Sequence, residues 1–142
     1  MLRGAMYDPR SMRDGTVHSA VRLWLRLEGA VALLLAIALD AHVGGSWLVF
    51  VALFFVPDVS FAAYFAGPRI GAAIYNVAHS YVGPLIAAGT LLSTGTELAP
   101  ALVWAAHIGF DRALGYGLKY PTAFSDTHLG RIGRGRPSGV QR

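Results

Sequence analysis

Imidazole, carboxylate and amide side chains stand at helical spacing inside apolar stretches of this sequence. His107 and Asp111 are four residues apart, so they share one face of a helix. Asn76 and His79 are three residues apart and also share a face, with Tyr75 beside them. Ionisable groups are costly in an apolar helix, and where they occur they often carry function. These residues are therefore the first candidates for a site.

A divalent metal such as zinc suits this set of side chains, because imidazole and carboxylate are its usual ligands. A bound metal lowers the pKa of a water to ~7 and so supplies a hydrolytic nucleophile. The predicted metal ligands are Asp58, His79, His107 and Asp111. Glu28 is predicted as a general base and Arg112 as an anchor for a phosphate or carboxylate. The full set of predicted catalytic residues is Glu28, Asp58, His107, Asp111 and Arg112.

Three other interpretations of the same residues stay open. A carboxylate–imidazole pair in a low dielectric can do acid–base chemistry on a lipid-like substrate without a metal. Intramembrane acids and histidines also form proton relays in transporters. Finally, the layer can be structural, with Arg112 neutralising Asp58 or Glu28 while Asn76 and Tyr75 join helices by hydrogen bonds.

The composition indicates a membrane protein. Apolar residues make up 54% of the 142, above the ~45–50% of soluble domains, and charged residues only 14%, against ~25%. The absence of cysteine excludes disulfides, thiolate metal sites and iron–sulfur clusters. Four stretches approach the ~20 apolar residues that a helix needs to cross a bilayer; they are 23–43, 46–65, 70–92 and 98–118.

Short turn-like joints separate these spans, which forces neighbouring helices antiparallel. Arginine and lysine cluster before the first span, in the joint at Arg69 and after the fourth span. By the positive-inside rule, both termini are cytoplasmic. The predicted fold is all-α: a four-helix transmembrane bundle of antiparallel up-down topology, multi-pass in the inner (plasma) membrane.

Counting along each span places the ionisable groups in one slab of the bilayer. At 1.5 Å per residue from the cytoplasmic end, Glu28 lies ~8 Å deep and the two aspartates ~11 Å. The same count puts His79 ~14 Å and His107 ~17 Å deep. Pro57 and Pro84 are predicted to bend the second and third spans. A shared depth beside bent helices predicts a polar site that opens to the cytoplasm.

Four regions are predicted along the chain. They are a mobile N-terminal extension (1–22), the transmembrane domain (23–118), a cytoplasmic segment (119–133) and a disordered tail (134–142). The segment 119–133 carries aromatic residues that would let it fold over the mouth of the bundle. On that interpretation His128 approaches the polar layer as a lid residue or fifth ligand.

The predicted partners are the lipid bilayer and a lipid-like small molecule. Nucleic acid is excluded, because the basic charge is explained by orientation and no nucleic-acid motif accompanies it. Small residues recur at every fourth position of the fourth span and permit close helix contact. A homo-oligomer is predicted through this stripe, which consists of Ala101, Ala105, Gly109 and Ala113.

Three runs of the sequence carry a family resemblance: LWLRLEG (23–29), PDVSFAAYFAGPRIGAAIYNVAHSY (57–81) and AHIGFDRALGYGLKYPTAFSDTHLGRIG (106–133). They resemble a family of small bacterial membrane proteins catalogued as domain of unknown function 4260. The resemblance covers 23–133. It implies a four-helix integral membrane protein and no assigned activity.

Overall fold

The computed structural model describes residues 19–132, and these are mostly helical. The elements are α1 (Ser19–His42), α2 (Trp47–Phe54), a 3₁₀ helix (Val56–Ala66), α3 (Pro68–Ala78), α4 (Val82–Thr94), α5 (Ala99–Leu114), β1 (Asp126–Thr127) and β2 (Gly130–Arg131). The two strands pair antiparallel as a short hairpin. The predicted all-α class is confirmed as a mostly helical fold. The four-helix transmembrane up-down bundle stays a prediction.

The predicted terminal regions fall almost wholly outside the described residues. Only 19–22 of the predicted N-terminal extension are described, and they form the start of α1. The predicted disordered tail, 134–142, lies entirely beyond them.

Proline divides the second and third predicted spans. In the second, α2 ends at Phe54 and the chain continues as the 3₁₀ helix, with Pro57 in its first turn. Proline has no N–H to donate to the preceding turn of an α-helix, and its ring clashes with that turn. In the third, α3 ends at Ala78 and α4 begins at Val82, with Pro84 in its first turn. The predicted bends are therefore complete changes of helix, and five α-helices replace the four expected.

Helices α1 and α5 approach so closely that their backbones touch. A Cβ on Gly109 would lie 2.7 Å from both the Gly29 carbonyl oxygen and the Leu33 nitrogen. A Cβ on Gly29 would lie 2.8 Å from the Ala113 nitrogen. Only glycine fits at this crossing, as at other small-residue helix contacts. Part of the predicted stripe thus faces α1 of the same chain, and the homo-oligomer stays a prediction.

Large apolar side chains cover the outside of the described helices. Every one of them exposes such residues, among them Leu34, Leu48, Phe65, Ile74, Leu85 and Leu114. Within the described residues, one stretch, Trp47–Ala66, is long and apolar enough to cross a bilayer. Only 11% of its apolar window is buried inside the protein, unlike the core helix of a soluble domain. This stretch is a weak hint of membrane association, and the multi-pass topology stays a prediction.

Candidate metal centre

Three helical elements bring one carboxylate and two imidazoles to a common point. Asp58 comes from the first turn of the 3₁₀ helix, His79 from the residue after α3, and His107 from the middle of α5. The Asp58 Oδ1 atom lies 3.5 Å from the Nε2 atom of each histidine. The two Nε2 atoms are 3.1 Å apart. Both rings are buried, while the aspartate is partly exposed.

These spacings fit one tetrahedral metal ion. Zinc binds nitrogen and oxygen ligands at about 2.0–2.2 Å, so two tetrahedral ligand atoms lie about 3.4 Å apart. The three observed separations, 3.1, 3.5 and 3.5 Å, bracket that value. Catalytic zinc sites have three protein ligands and keep the fourth position open. The three residues therefore have the ligand count and spacing of a catalytic site.

The protonation of His79 is set by its own helix. Its Nδ1 atom is 3.0 Å from the Tyr75 carbonyl oxygen. A carbonyl only accepts hydrogen bonds, so Nδ1 carries the proton and the neutral ring directs the Nε2 lone pair at the common point. Metal-binding histidines are typically oriented in this way. The Nδ1 atom of His107 is buried and has no hydrogen-bond partner among the described residues. The centroids of the His107 and Phe54 rings lie 5.2 Å apart in an edge-to-face arrangement.

Asp111 lies beside these ligands rather than among them. Its Oδ2 atom is 3.7 Å from the Nε2 atom of His79 and 4.0 Å from that of His107. The same oxygen accepts a 3.2 Å hydrogen bond from the Tyr75 hydroxyl. These distances exceed those among the three converging atoms, and the metal-ligand group found among the described residues contains Asp58, His79 and His107 without Asp111; the predicted role of Asp111 as a ligand stays a prediction.

The winding of the 3₁₀ helix aligns Asp58 with two aromatic side chains. Side chains three residues apart eclipse one another in this helix, because it has 3.0 residues per turn. Asp58, Phe61 and Tyr64 therefore form one row. The Phe61 ring stacks on Tyr75 at 5.2 Å, and the Tyr64 ring lies directly against Gly71 of α3. Packing of Phe61 and Tyr64 against α3 thus positions the 3₁₀ helix that carries Asp58.

A cavity of about 340 Å³ lies against the two carboxylates. Its walls are chiefly aromatic, with one lysine, and the lining comprises Asp58, Phe61, Tyr75, Phe110, Asp111, Tyr116, Lys119, Phe124 and Ile132. An apolar chamber with a few polar groups at one end is the usual form of a small-molecule site.

Lys119 is a cavity residue that the sequence reasoning missed. It is only 4% exposed, and its Nζ atom donates to the Phe124 carbonyl at 2.8 Å. The ammonium also lies 3.7 Å from the Phe124 ring centroid and 4.8 Å from that of Tyr75. Burial lowers the pKa of Lys119, and the Asp111 carboxylate partly opposes that shift. Its signal in the sequence was a single charge within an aromatic, otherwise uncharged run.

The segment 119–132 covers this cavity, and Asn76 attaches it to α3. The Asn76 amide donates to the Lys119 carbonyl at 2.9 Å and accepts from the Lys119 N–H at 2.7 Å. Further along, the Phe124 ring packs on Phe61 at 5.5 Å and on Tyr64 at 5.2 Å. Asn76 was predicted as a member of the polar layer. In the structure its side-chain amide makes two hydrogen bonds to the segment 119–132. The cytoplasmic location of that segment stays a prediction.

Replacing Asn76 with alanine is expected to loosen the covering segment without unfolding the helices. Two net hydrogen bonds of about 0.5–1.5 kcal/mol each hold it, so local opening becomes about 5–150-fold more frequent. Amide hydrogen exchange over 119–132 measures this change. Thr122→Ala is the control, because that hydroxyl bonds only to Asp126 within the segment. Equal exchange in both variants would contradict the attachment.

Besides Asn76, three predicted site residues are not brought to the converging atoms. Glu28 is exposed on α1 and makes no ion pair within the described residues. Arg112 donates to the carbonyls of His79 at 2.7 Å and Tyr116 at 2.6 Å. Within the described residues it makes no ion pair with Asp58 or Glu28, the pairing of the structural interpretation, and its guanidinium is hydrogen-bonded to two backbone carbonyls instead.

His128 is the third. Its Nδ1 atom accepts the Leu118 N–H at 2.8 Å, and its ring lies against Gly117. The metal-ligand group found among the described residues contains Asp58, His79 and His107 only. His128 therefore lies outside this group, with its imidazole hydrogen-bonded to the backbone of its own segment, and its role as a lid residue or fifth ligand stays a prediction.

Comparison with known proteins gives one match. Residues 22–132 match the sequence model of a family described as a domain of unknown function, DUF4260. No curated protein and no solved structure matches the chain. The family resemblance read from the sequence is confirmed, while its bacterial and four-helix details stay predictions.

Proposed function

We propose that this chain, which belongs to the DUF4260 family of unknown function, is a membrane-embedded, metal-dependent hydrolase that acts on a lipid-like substrate. One observation carries the proposal. Asp58, His79 and His107 direct three ligand atoms at one point, with the spacing of a tetrahedral metal site and an adjoining cavity.

The membrane part of the proposal rests on the exposed apolar surface. Large apolar side chains are exposed on every described helix, and soluble monomers rarely expose large contiguous apolar patches. We place several helices across the inner membrane, with both termini in the cytoplasm, as the distribution of arginine indicates. The chain leaves α-helical conformation near Pro57 and His79. Such backbone is tolerated at membrane depth when it lies inside the protein.

The residues divide into holding and proton-transferring roles. Asp58, His79 and His107 would hold a divalent ion such as zinc, which when bound supplies a water of lowered pKa and polarises the bond to be cleaved. Asp111, whose Oδ2 atom lies 3.7 Å from the Nε2 atom of His79 and 4.0 Å from that of His107, would accept a proton at that oxygen as general base. The Tyr75 hydroxyl fixes the orientation of that carboxylate. Because Glu28 is exposed on α1 and lies outside the group of converging residues, we assign the base to Asp111.

The cavity favours a substrate with an apolar body. Aromatic rings form most of its lining, and the carboxylates of Asp58 and Asp111 are its two acidic groups. The Lys119 ammonium adds one positive charge that faces the same space. A lipid-like molecule with a polar or anionic group near its cleaved bond matches this distribution.

Metal content tests the proposal. The full chain, purified in detergent, is compared with His79→Ala/His107→Ala and with the control His42→Ala, whose imidazole is exposed at the end of α1. We expect about one zinc per chain in the wild type and the control, and none in the double variant. Loading with cobalt(II) should give visible absorption typical of a tetrahedral site in the same two proteins.

The contrary result is equally informative. If the wild type binds no metal after incubation with zinc, iron or manganese, the metal-dependent function is wrong. Acid–base chemistry without a metal, proton transport or a structural network would then have to explain the buried histidines.

A further inference from the structure

A second cavity, of about 270 Å³, lies between the start of α1, the end of α5 and the hairpin. It differs from the first in being lined largely by polar groups, and its lining is Arg22, Arg26, Leu114, Gly115, Tyr116, Leu129, Gly130, Arg131 and Ile132. Three arginines from two separate elements face it. No carboxylate lines it among the described residues.

The hydrogen-bonding capacity of these arginines is only partly used. Arg26 donates Nε to the Ala113 carbonyl at 2.8 Å. Arg131 lies 3.4 Å from Asp126 and is more than half exposed. Arg22 has a buried Nε atom with no partner. Within the described residues, neither Arg22 nor Arg26 pairs with a carboxylate, so two positive charges at this cavity are uncompensated.

Arg22 lies close to the hairpin backbone. Its guanidinium lies against Gly130, where a Cβ would be 2.7 Å from Nη2. Gly130 has a φ of 116°, a conformation that side-chain-bearing residues rarely adopt. The glycine therefore leaves room for the guanidinium beside the hairpin turn. A buried guanidinium nitrogen without a partner is costly, and a bound acceptor would relieve that cost.

We propose that this cavity, defined by Arg22, Arg26 and Arg131, binds a phosphate group. The planar fork of guanidinium donors matches phosphate oxygens in pairs, and such charge-assisted bonds are among the strongest in proteins. Carboxylate ligands are smaller acceptors and satisfy fewer of the converging donors. The proposed phosphate site contains none of the three candidate metal ligands, although Tyr116 and Ile132 line both cavities.

Two sources can supply this phosphate: the headgroup of an anionic membrane lipid, or a soluble phosphate. The cavity lies at the end of α1 that follows the arginine-rich N-terminal region, where the positive-inside rule puts the cytoplasmic leaflet. Anionic lipids of that leaflet attract basic groups near the surface. Both sources present the same oxygens to the same arginines.

The test compares the full chain in detergent with Arg22→Gln, Arg131→Gln and the control Arg69→Gln. Arg69 is exposed, lies at the start of α3 and belongs to neither cavity. One arm measures thermal stability against inorganic phosphate at constant ionic strength. The other measures, by native mass spectrometry, retention of phosphatidylglycerol and of phosphatidylcholine after release from bilayer nanodiscs.

Binding to the wild type and to Arg69→Gln, weakened about tenfold or more in Arg22→Gln, would support the site. Retention of phosphatidylglycerol without stabilisation by inorganic phosphate identifies the ligand as a lipid headgroup. Stabilisation by inorganic phosphate without retention of phosphatidylglycerol identifies it as a soluble phosphate. If Arg22→Gln folds poorly, the same loss of binding is measured in Arg131→Gln, which removes the arginine that the hairpin contributes to the cavity. Absence of binding to the wild type, or equal binding in all four proteins, overturns the proposal.

Discussion

Replacing Asp58 with asparagine is expected to abolish zinc binding at micromolar metal, whereas the same replacement at Asp111 is expected to leave zinc bound. Asp58 Oδ1 is 3.5 Å from both histidine nitrogens, which is the separation of two ligands on one ion. Asp111 Oδ2 lies farther away, at 3.7 and 4.0 Å. Outer partners of a metal site contribute about 10–100-fold to affinity, and a direct anionic ligand contributes more.

Competition with a chromophoric zinc chelator measures both affinities in detergent. The two substitutions are matched, because each exchanges a carboxylate for an amide of the same size. Far-ultraviolet circular dichroism establishes that both variants retain their helices. An Asp111→Asn protein that loses zinc as completely as Asp58→Asn would show that both carboxylates are ligands and would remove the assignment of Asp111 as base.

Replacing Gly109 with alanine is expected to destabilise the protein by about 1–3 kcal/mol or more. The added Cβ would meet two backbone atoms of α1 at 2.7 Å, and backbone cannot rotate away as a side chain can. The two helices must therefore separate along their whole contact. Thermal unfolding in detergent measures the loss.

Gly89 provides the matched control. It lies within α4, and a Cβ there would have no atom within 4 Å. Gly89→Ala is expected to stabilise by up to about 1 kcal/mol, because alanine is the better helix former. If Gly109→Ala were as stable as Gly89→Ala, the close contact of α1 with α5 would be wrong.

The sequence was sufficient to group four site residues, and the reason is geometric. Depth along a helix follows from residue count alone, since the rise per residue is fixed. His79, His107, Asp58 and Asp111 were predicted to share one slab, and the structure places all four together. Helical spacing also placed His107 and Asp111 on one face.

Depth does not give direction around a helix axis, which is why Glu28 was misplaced. Its neighbour Gly29 faces α5, and the next residue along a helix points about 100° away. Glu28 is therefore exposed although its depth matches the site. Which side of α1 meets α5 depends on a glycine contact between two distant segments, and no local pattern reveals that pairing.

The contacts of the segment 119–132 were harder to predict, because its apolar residues do not recur at helical or strand spacing. Lys119 reaches the cavity through two hydrogen bonds to Asn76, forty-three residues earlier in the chain. Likewise, the row of Asp58, Phe61 and Tyr64 arises from 3₁₀ winding, whereas an apolar span favours an α-helix. Pro57 indicated that the α-helix is interrupted there, but it did not indicate that the chain continues as a 3₁₀ helix.

Asp58, one of the proposed metal ligands, stands on the 3₁₀ helix Val56–Ala66. Its position therefore depends on the length of that helix along its axis. Eleven residues span about 22 Å at the 2.0 Å rise of this helix but only about 16 Å with α-helical winding. Rewinding would shorten the segment by about 6 Å and turn Asp58 out of line with Phe61 and Tyr64. The segment belongs to Trp47–Ala66, the stretch apolar enough to cross a bilayer, and proteins adjust to bilayer thickness at a small cost per ångström. A thinner bilayer would favour the shorter winding, so by thermodynamic reciprocity metal affinity and membrane thickness become linked quantities.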